Sequence, residues 1–249
     1  MPREDSRAVM PGPAPTRLAA RVEAPLPSGA SRSLEALECP PALAAPSPRQ
    51  PRQERGERRV CAILDAAAAL ITECGAEGLT VQALAERAQT SKGSLYHFFP
   101  DLQSVLRALA ERHSHAITRL TQAMIADSTT DWASLSPDET AERFIAPLTY
   151  LEAHPDLLAL ARAPNMLDNT TRRLSPLCDL ADHILQRRYP RLSERERLVR
   201  ASTMVAVMDG IVGYSLRSSE LESARMVAEL QRVLAAYLGS HERDGAGIH

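Results

Sequence analysis

Residues 80–99, with the sequence TVQALAERAQTSKGSLYHFF, constrain the fold of this chain more than any other segment. Thr80 and Ser91 are residue types that cap the N-terminus of a helix, and each precedes a short run whose apolar residues have helical spacing. The pattern breaks between the two runs, at Gln89-Thr90. We therefore expect two short helices joined by a tight turn, in which the first helix braces the second.

The second of these helices is expected to expose a polar face with little side-chain bulk. The residues on that face are Ser91, Lys92, Gly93, Ser94 and His97. Hydroxyls and N-terminal helix amides donate hydrogen bonds to phosphate oxygens, and a glycine lets the backbone come close. This combination predicts contact with a polyanion, and in a helix-turn-helix the second helix enters the major groove of DNA.

The wider segment 57–117 resembles the DNA-binding domain of TetR-family transcriptional regulators. Four stretches agree with the family in order and spacing: ILDAAAALITECG at 63–75, LTVQALAERA at 79–88, SKGSLYHFF at 91–99, and the Pro100-Asp101 before the next helix. Two positions depart from the family pattern. Gln89-Thr90 replaces the usual Gly-Val of the turn, and Leu102 replaces a lysine often found at the start of the fourth helix, which predicts the loss of one phosphate contact.

The resemblance implies an all-α fold with a three-helix head that binds DNA and a six-helix body that binds a ligand and forms a homodimer. It implies a transcriptional repressor that a small-molecule effector releases from a palindromic operator in double-stranded DNA. An activator remains an alternative. A ligand-sensing protein whose head no longer binds DNA is another.

The resemblance also assigns roles within the head. Tyr96 and His97 resemble the phosphate-contacting positions at the end of the recognition helix, and Thr80 and Gln82 lie where the bracing helix can meet a phosphate. Candidates for reading base edges are Thr90, Ser91, Lys92 and Ser94, with Gly93 allowing close approach.

Overall charge does not support the DNA assignment by itself. The net charge is -2, and residues 52–112 carry equal numbers of cations and carboxylates. Arginines do cluster ahead of the first helix, at Arg49, Arg52, Arg55, Arg58 and Arg59. A mobile arm that reaches phosphates or a minor groove explains them, and so does a solvated run of charge. Arg58 and Arg59 are therefore included among the DNA-binding candidates.

Proline density and helical periodicity divide the chain into four parts. Eleven of the 18 prolines lie within residues 1–51, which predicts a disordered Pro/Ala/Arg-rich extension over 1–52, either a tether, a partner-binding tail or a start-site artefact. The head is expected at 57–117, the body at 118–240 and a flexible tail at 241–249. Apolar spacing predicts nine helices and no strand. The predicted helices after the head's first three lie at 102–126, 136–154, 156–161, 169–189, 193–219 and 221–238.

Several other functions lack support in the sequence. No run approaches the ~20 apolar residues of a membrane helix, and the N-terminus lacks the apolar segment of a secretory signal, so a cytoplasmic protein with no membrane partner is expected. No catalytic set or phosphate-binding loop is present, so we expect no enzyme and no cofactor. Asp179 and His183 permit a metal pair but lack an evident third ligand, so no metal site is expected.

The last two predicted helices are apolar on more than one side. Ordinary core packing explains this, but a four-helix dimer interface is favoured, because two heads that read half-sites ~34 Å apart need a rigid two-fold body. The expected interface residues are Val205, Ala206, Gly210, Gly213, Val227, Leu230 and Leu234.

A ligand pocket of mixed polarity is expected in the body. Its candidate residues are Trp132, Phe144, Tyr150, His154, Met166, Cys178, His183, Met204 and Asp209. Each is also compatible with plain core packing, and Asp209 is explained either by a structural ion pair or by a place in the pocket wall.

Overall fold

The computed structural model describes residues 51–162, 170–215 and 220–246, and in these ranges the chain forms ten α-helices, one 3-10 turn and no strand. This confirms the all-α fold class. The helices are α1 (Pro51–Cys74), α2 (Val81–Arg87), α3 (Lys92–Phe98), α4 (Leu102–Ala126), α5 (Pro137–Ile145), α6 (Leu148–Ala153), α7 (Pro155–Arg162), α8 (Thr170–Arg188), α9 (Glu194–Ser215) and α10 (Glu220–Ala246), and the 3-10 turn is Ala76–Gly78. Among the described helices, none combines the length and apolar character that a membrane crossing requires. The candidate pocket residue Met166 and residues 1–50 of the predicted extension lie outside the described ranges.

The helices α1, α2, α3 and the first half of α4 pack around one buried cluster, here called the head cluster. Its most deeply buried members include Ile63, Leu64, Ile71, Leu84, Leu95 and Leu109. One further member comes from much later in the chain, because α7 packs against α1 and inserts Leu160. The head is therefore completed by a helix of the body.

The long helix α4 connects this cluster to a second buried cluster in the body. Leu109 belongs to the head cluster, whereas Leu120 and Met124 belong to the body cluster, which α5–α10 complete. The predicted bounds 102–126 are confirmed, and Asp101 starts the helix by accepting a hydrogen bond from the Ser104 amide at 2.6 Å. Its 25 residues form one rod about 37 Å long that spans both clusters.

The helix α1 begins at Pro51, so the expected boundary of the extension at residue 52 falls inside a helix. Proline is tolerated in the first helical turn, because its missing N–H has no partner there. The carboxylate of Glu54 in the same turn is favoured by the helix dipole and pairs with Arg58 at 3.7 Å. The prediction of a mobile arm is therefore wrong for residues 52–59, which are helical.

The helix predicted at 136–154 is divided into α5 and α6, and this division accounts for ten helices where nine were predicted. Its start is confirmed, since the Ser136 hydroxyl accepts a hydrogen bond from the Glu139 amide at 3.2 Å. The interruption is at Pro147, which has no N–H to donate to the Arg143 carbonyl and whose ring crowds the preceding turn. Ala146 donates to that carbonyl instead, at 3.2 Å.

The last helix is longer than predicted. α10 continues to Ala246, so residues 241–246 of the expected flexible tail are helical. No proline stops the helix, the Ser240 hydroxyl donates to the Tyr237 carbonyl at 2.7 Å, and the His241 ring packs edge-on against Tyr237 with 4.7 Å between centroids.

Candidate DNA-binding site

The two short helices of the head are fixed at their N-termini by the predicted caps. The Thr80 hydroxyl accepts from the Ala83 amide at 3.2 Å, and the Ser91 hydroxyl accepts from the Ser94 amide at 3.1 Å. Both hydroxyls keep their own proton, which remains available to donate to a phosphate. The caps therefore place two potential phosphate donors at the starts of α2 and α3.

The turn between α2 and α3 holds a strained residue. Gln89 has φ 50°, the left-handed conformation that glycine adopts without a steric penalty. For another residue this conformation costs about 1–2 kcal/mol. The turn forms nonetheless, closed by a 2.9 Å hydrogen bond from the Thr90 amide to the Ala85 carbonyl. The departure from the usual glycine thus strains the turn without removing it.

The face of α3 that points away from the head cluster carries the predicted contact residues. Those that are exposed are Ser91, Lys92, Gly93, Tyr96 and His97, and Ser94 is half-buried. Tyr96 is 51% exposed, although aromatic rings are usually buried, whereas its neighbour Leu95 is anchored in the head cluster. The phenol of Tyr96 is therefore presented to solvent on a fixed backbone.

The space in front of α3 is open. A Cβ built on Gly93 would meet only the Ser91 hydroxyl oxygen, at 4.0 Å. Packing within the head does not require a glycine at this position, so the missing side chain leaves room for an incoming molecule. A backbone that approaches a phosphate or a base edge uses such room.

The candidate contact residues outside α3 differ in how far their side chains are available to bind DNA. Gln82 is exposed and its side-chain amide donates to Glu86 at 3.0 Å, which leaves its amide oxygen as an acceptor. Thr90 is half-buried within the turn. Gln82 therefore keeps a second amide N–H that can donate to a phosphate, and Thr90 contributes chiefly to the turn.

Ion pairs decide which cations of the head remain available. Arg87 at the end of α2 forms two hydrogen bonds with Glu73 of α1, at 2.8 and 2.7 Å, and these bonds lower the pKa of the Glu73 carboxyl. Lys92 forms no ion pair within the described part of the chain and is the sole Lys or Arg of α3. Lys92 is thus the unneutralised cation of the recognition face.

Arg58 and Arg59 lie on the exposed side of α1 and have different surroundings. Arg58 is paired with Glu54, as described above. A guanidinium nitrogen of Arg59 lies 3.5 Å from the Gln89 carbonyl oxygen, at the turn between α2 and α3. The structure therefore brings Arg59, and not Arg58, to the helix-turn-helix.

Comparison with known proteins agrees with this geometry. Residues 63–109 match the family model described as bacterial regulatory proteins, tetR family, and residues 136–238 match a model described as tetracyclin repressor-like, C-terminal domain. Together these matches cover more than half of the chain. The chain belongs to the TetR family. TetR-family proteins are DNA-binding transcriptional regulators and not enzymes.

Solved structures share the fold of this TetR-family chain. A putative TetR-family transcriptional regulator from Mesorhizobium loti MAFF303099 is 17% identical with a TM-score of 0.53, over 75% of this chain and 98% of its own. A transcriptional regulator of the TerR/AcrR family from Aquifex aeolicus VF5 is 16% identical with a TM-score of 0.52, over 71% and 97%. At these identities the likeness concerns the fold alone. A search of curated proteins finds no match to this sequence.

Most residues predicted to line a ligand pocket in the TetR-type body are packed in its interior. The buried ones are Trp132, Phe144, Tyr150, His154 and Met204. Asp209 is exposed, so it is not a buried ion-pair partner in this protomer. Cys178 is half-buried, and burial raises the pKa of its thiol. Burial fits the wall of an enclosed cavity as well as plain core packing, so the pocket assignment of these residues stays a prediction.

His183 borders an open groove in the body. The groove has a volume of about 400 Å³ and is lined by Asp131, Ala133, His183, Gln186, Arg187 and Pro190. Burial, with a smaller contribution from the charge of Arg187, lowers the pKa of His183. The other residues that line the groove were not predicted from the sequence, because the loop after α4 and the end of α8 are separated by some fifty positions.

The predicted dimer residues divide into two groups. Val205, Val227, Leu230 and Leu234 are buried in the protomer's own body cluster, so their assignment to an interface surface is wrong. By contrast, Ala206 and Gly210 are exposed and Gly213 is half-buried, and a Cβ on either glycine would meet no atom within 4 Å. Among the predicted interface residues, the small ones and not the large ones therefore reach the outer surface.

On the same side of α9 as these small residues lie exposed large apolar residues that were not predicted from the sequence. Val199 and Tyr214 are each more than half exposed, as is Leu198 at the edge of this side. At 100° per residue, Val199, Ala206, Gly210, Gly213 and Tyr214 fall on one side of α9, opposite its buried side. We call these five residues the outer α9 face. The even spread of apolar residues around α9 was the one sequence signal for it.

Proposed function

We propose that this TetR-family protein is a homodimeric transcriptional repressor, which binds a near-palindromic operator through α3 and leaves it when a small molecule binds the body. The observation that carries the proposal is the exposed face of α3, with Lys92, Gly93 and Tyr96 held in place by the buried Leu95. A polar face with an unpaired cation and an exposed phenol has no use inside the head. Phosphate and base contacts in a major groove use all of these groups.

DNA affinity is expected to depend on a few side chains and backbone amides at fixed positions in the head. The segment 52–112 is neutral overall, and Arg87 and Arg58 are paired with carboxylates. Non-specific binding, which scales with the number of phosphates neutralised, is therefore expected to be modest. A tight complex then needs both half-sites and hence two heads on a rigid dimer.

The outer α9 face is the proposed dimer surface. It is apolar, it is exposed in the protomer, and its two glycines leave room for a second helix to approach closely. Packing this face against its copy creates a two-fold, self-complementary contact. Val233 of α10 is exposed as well and is proposed to extend the contact.

The effector is proposed to enter the groove beside His183. Two of the groove's residues, Asp131 and Ala133, belong to the loop that follows α4, so a molecule seated there touches the continuation of the rod that reaches the head. Arg187 and His183, one helical turn apart, suit a ligand with an anionic group. Compounds that release the operator should lose their effect in Arg187→Ala, and an undiminished effect would argue against this groove.

The DNA-binding assignment is tested with fragments selected from the source genome by the purified protein. Lys92→Ala and Tyr96→Ala should each weaken binding to a selected fragment by about tenfold or more, since one good contact is worth roughly 1–3 kcal/mol. Arg191→Ala removes one exposed cation from the body and serves as the control for net charge, and it should bind like the wild type.

Three outcomes separate the alternatives. Unchanged binding of both α3 variants would refute the recognition face. A protein that selects no fragment and shows no dependence of DNA affinity on salt has a head that no longer binds DNA. A reporter gene behind the selected operator distinguishes a repressor from an activator, because its expression falls in one case and rises in the other.

A further inference from the structure

A buried polar cluster joins α4 to α6 and α7. The Nδ1 atom of His113 lies 2.9 Å from the Tyr150 hydroxyl, and its Nε2 atom lies 2.8 Å from a carboxylate oxygen of Asp156. His154 stacks on the Tyr150 ring with 3.9 Å between centroids, and its Nδ1 lies 2.8 Å from the Tyr150 carbonyl oxygen. All four side chains are buried. We call His113, Tyr150, His154 and Asp156 the junction cluster.

The junction cluster lies where the head meets the body. Beside His113, the buried Arg112 donates to Asp65 of α1 at 2.5 Å. On the other side, the helix α7 that carries Asp156 inserts Leu160 into the head cluster. The hydrogen bond between His113 and Asp156 therefore ties α4 to α7, the body helix whose Leu160 completes the head cluster.

Asp156 supplies the negative charge of the cluster. Burial alone would raise the pKa of its carboxyl, but the hydrogen bond from His113 and the charges of His113, His154 and Arg112 outweigh burial and lower the pKa. Burial, reinforced by the charge of Asp156, raises the pKa of the Tyr150 phenol, which therefore keeps its proton. Asp156 thus stays ionised and accepts a hydrogen bond from His113 Nε2–H.

His154 is the member of the junction cluster whose surroundings disfavour its protonated form. Burial lowers the pKa of its imidazole, and repulsion from His113 and Arg112 adds to this effect, against the opposing influence of the Tyr150 carbonyl and Asp156. With Nδ1–H donating to that carbonyl, the second ring nitrogen takes up the proton in acid. The added charge is attracted to Asp156, whose carboxylate already binds His113.

We propose that the junction cluster is a proton-sensitive latch, in which protonation of His154 draws Asp156 away from His113 and frees α4 from α7. The charged or titratable groups that face His154 are His113 and Arg112 of α4, Tyr150 of α6 and Asp156 of α7. Arg119 of α4 acts on Tyr150, and Asp65 of α1 lies beyond Arg112. The inference rests on the proposed function, because an unlatched head no longer holds the two α3 helices at the ~34 Å spacing of an operator.

The latch predicts that DNA affinity changes with falling pH in the direction opposite to the general effect of acid. A protein gains positive charge as the pH falls, which by itself strengthens binding to DNA. An opening latch weakens binding instead. The opening falls below the ordinary histidine pKa of about 6.5, since the pKa of His154 is lowered, and Asp156 remains ionised there because its own pKa is lowered too.

The test measures operator affinity by fluorescence anisotropy at pH 7.5 and pH 5.5 and constant salt. The wild-type affinity should fall by more than about threefold, since the latched state binds the His154 proton more weakly than the open state does. His154→Asn keeps an N–H donor near the Tyr150 carbonyl but takes up no proton, and its affinity should change by less than about threefold. His115→Asn, at an exposed site on α4, is the matched control and should retain the wild-type fall.

Hydrogen exchange without DNA gives a readout independent of the operator. Corrected for the intrinsic pH dependence of amide exchange, α7 of the wild type should exchange faster at pH 5.5 than at pH 7.5 relative to α8. Absence of operator binding at pH 7.5 would refute the proposed function. The amide hydrogen exchange of α7 would still test the latch in that case, because it is measured without DNA. The latch is overturned if α7 exchanges equally at both pH values, if affinity rises in acid, or if His154→Asn weakens in acid as much as the wild type.

Discussion

Replacing Gly210 by a larger residue should affect the protomer and the dimer in opposite directions. Gly210 lies within α9, on the outer α9 face, and a Cβ built there meets no atom within 4 Å. Glycine inside a helix is destabilising, and alanine at this position is expected to stabilise the helix by about 1 kcal/mol. The isolated protomer should therefore tolerate Gly210→Ala and Gly210→Leu.

The dimer should not tolerate the same change. If α9 packs closely against its copy, the two-fold axis duplicates every added group at the contact. Overpacking a well-packed contact costs about 1–3 kcal/mol for each copy, or about 2–6 kcal/mol for Gly210→Leu in both protomers. The dissociation constant of the dimer should accordingly rise by at least roughly thirtyfold.

Sedimentation velocity over a range of concentrations measures this dissociation constant. Gln122→Leu places a leucine at an exposed position of α4 in the body and controls for added apolar surface. It should leave the dissociation constant unchanged. A Gly210→Leu protein that dimerises as tightly as the wild type would show that the outer α9 face is not the interface.

Three further predictions concern stability. Gln89→Gly should raise the free energy of unfolding in urea by about 0.5–1 kcal/mol by removing the left-handed strain, and an unchanged or lower value would contradict this reading of the turn. Arg188→Met removes the donor to the Trp132 carbonyl, at 2.9 Å, and should cost about 1–3 kcal/mol and shift the emission of this single tryptophan to longer wavelength, whereas unaltered emission would speak against the contact. Because His154 and His183 have lowered pKa values, the unfolded chain takes up protons first, so the free energy of unfolding should fall as the pH drops below about 6.5. That slope should be smaller in His154→Asn, and stability that rises in acid would refute the assignment.

Local signals in the sequence were sufficient to locate the helix starts in the head. Thr80 and Ser91 were predicted as caps from residue type and from the apolar spacing that follows, and both form the expected hydrogen bonds. Ser136 was found in the same way. Capping joins residues only three positions apart, so the relevant contact is already present in the local sequence.

Contacts between distant segments could not be found in this way. His113 and Asp156 are 43 positions apart and meet only because α7 folds back onto the head. No spacing rule connects two such residues, and each looks unremarkable in its own helix. Tyr150 and His154 were noticed, but for a ligand pocket, since their polar partners were unknown.

The surface of α9 illustrates a different limit. Val205 and Ala206 are neighbours, yet one is buried and the other exposed. Periodicity identifies the buried side of a helix only when the opposite side is polar, and α9 is apolar on both. Which large residues belonged to the core and which small ones to the surface was therefore decided by tertiary packing.

The insertion of Leu160 into the head cluster limits how this regulator can be recombined with its relatives. A chimera that exchanges only residues 57–117 keeps the recipient's α7, whose Leu160 then faces an α1 surface with which it did not evolve. Grafting α7 together with the head restores that fit, and because His113 lies within residues 57–117 and Asp156 within α7, it also transfers both partners of the hydrogen bond that ties α7 to α4. A graft of the DNA-binding specificity is thus also a graft of part of the response to conditions in the cell.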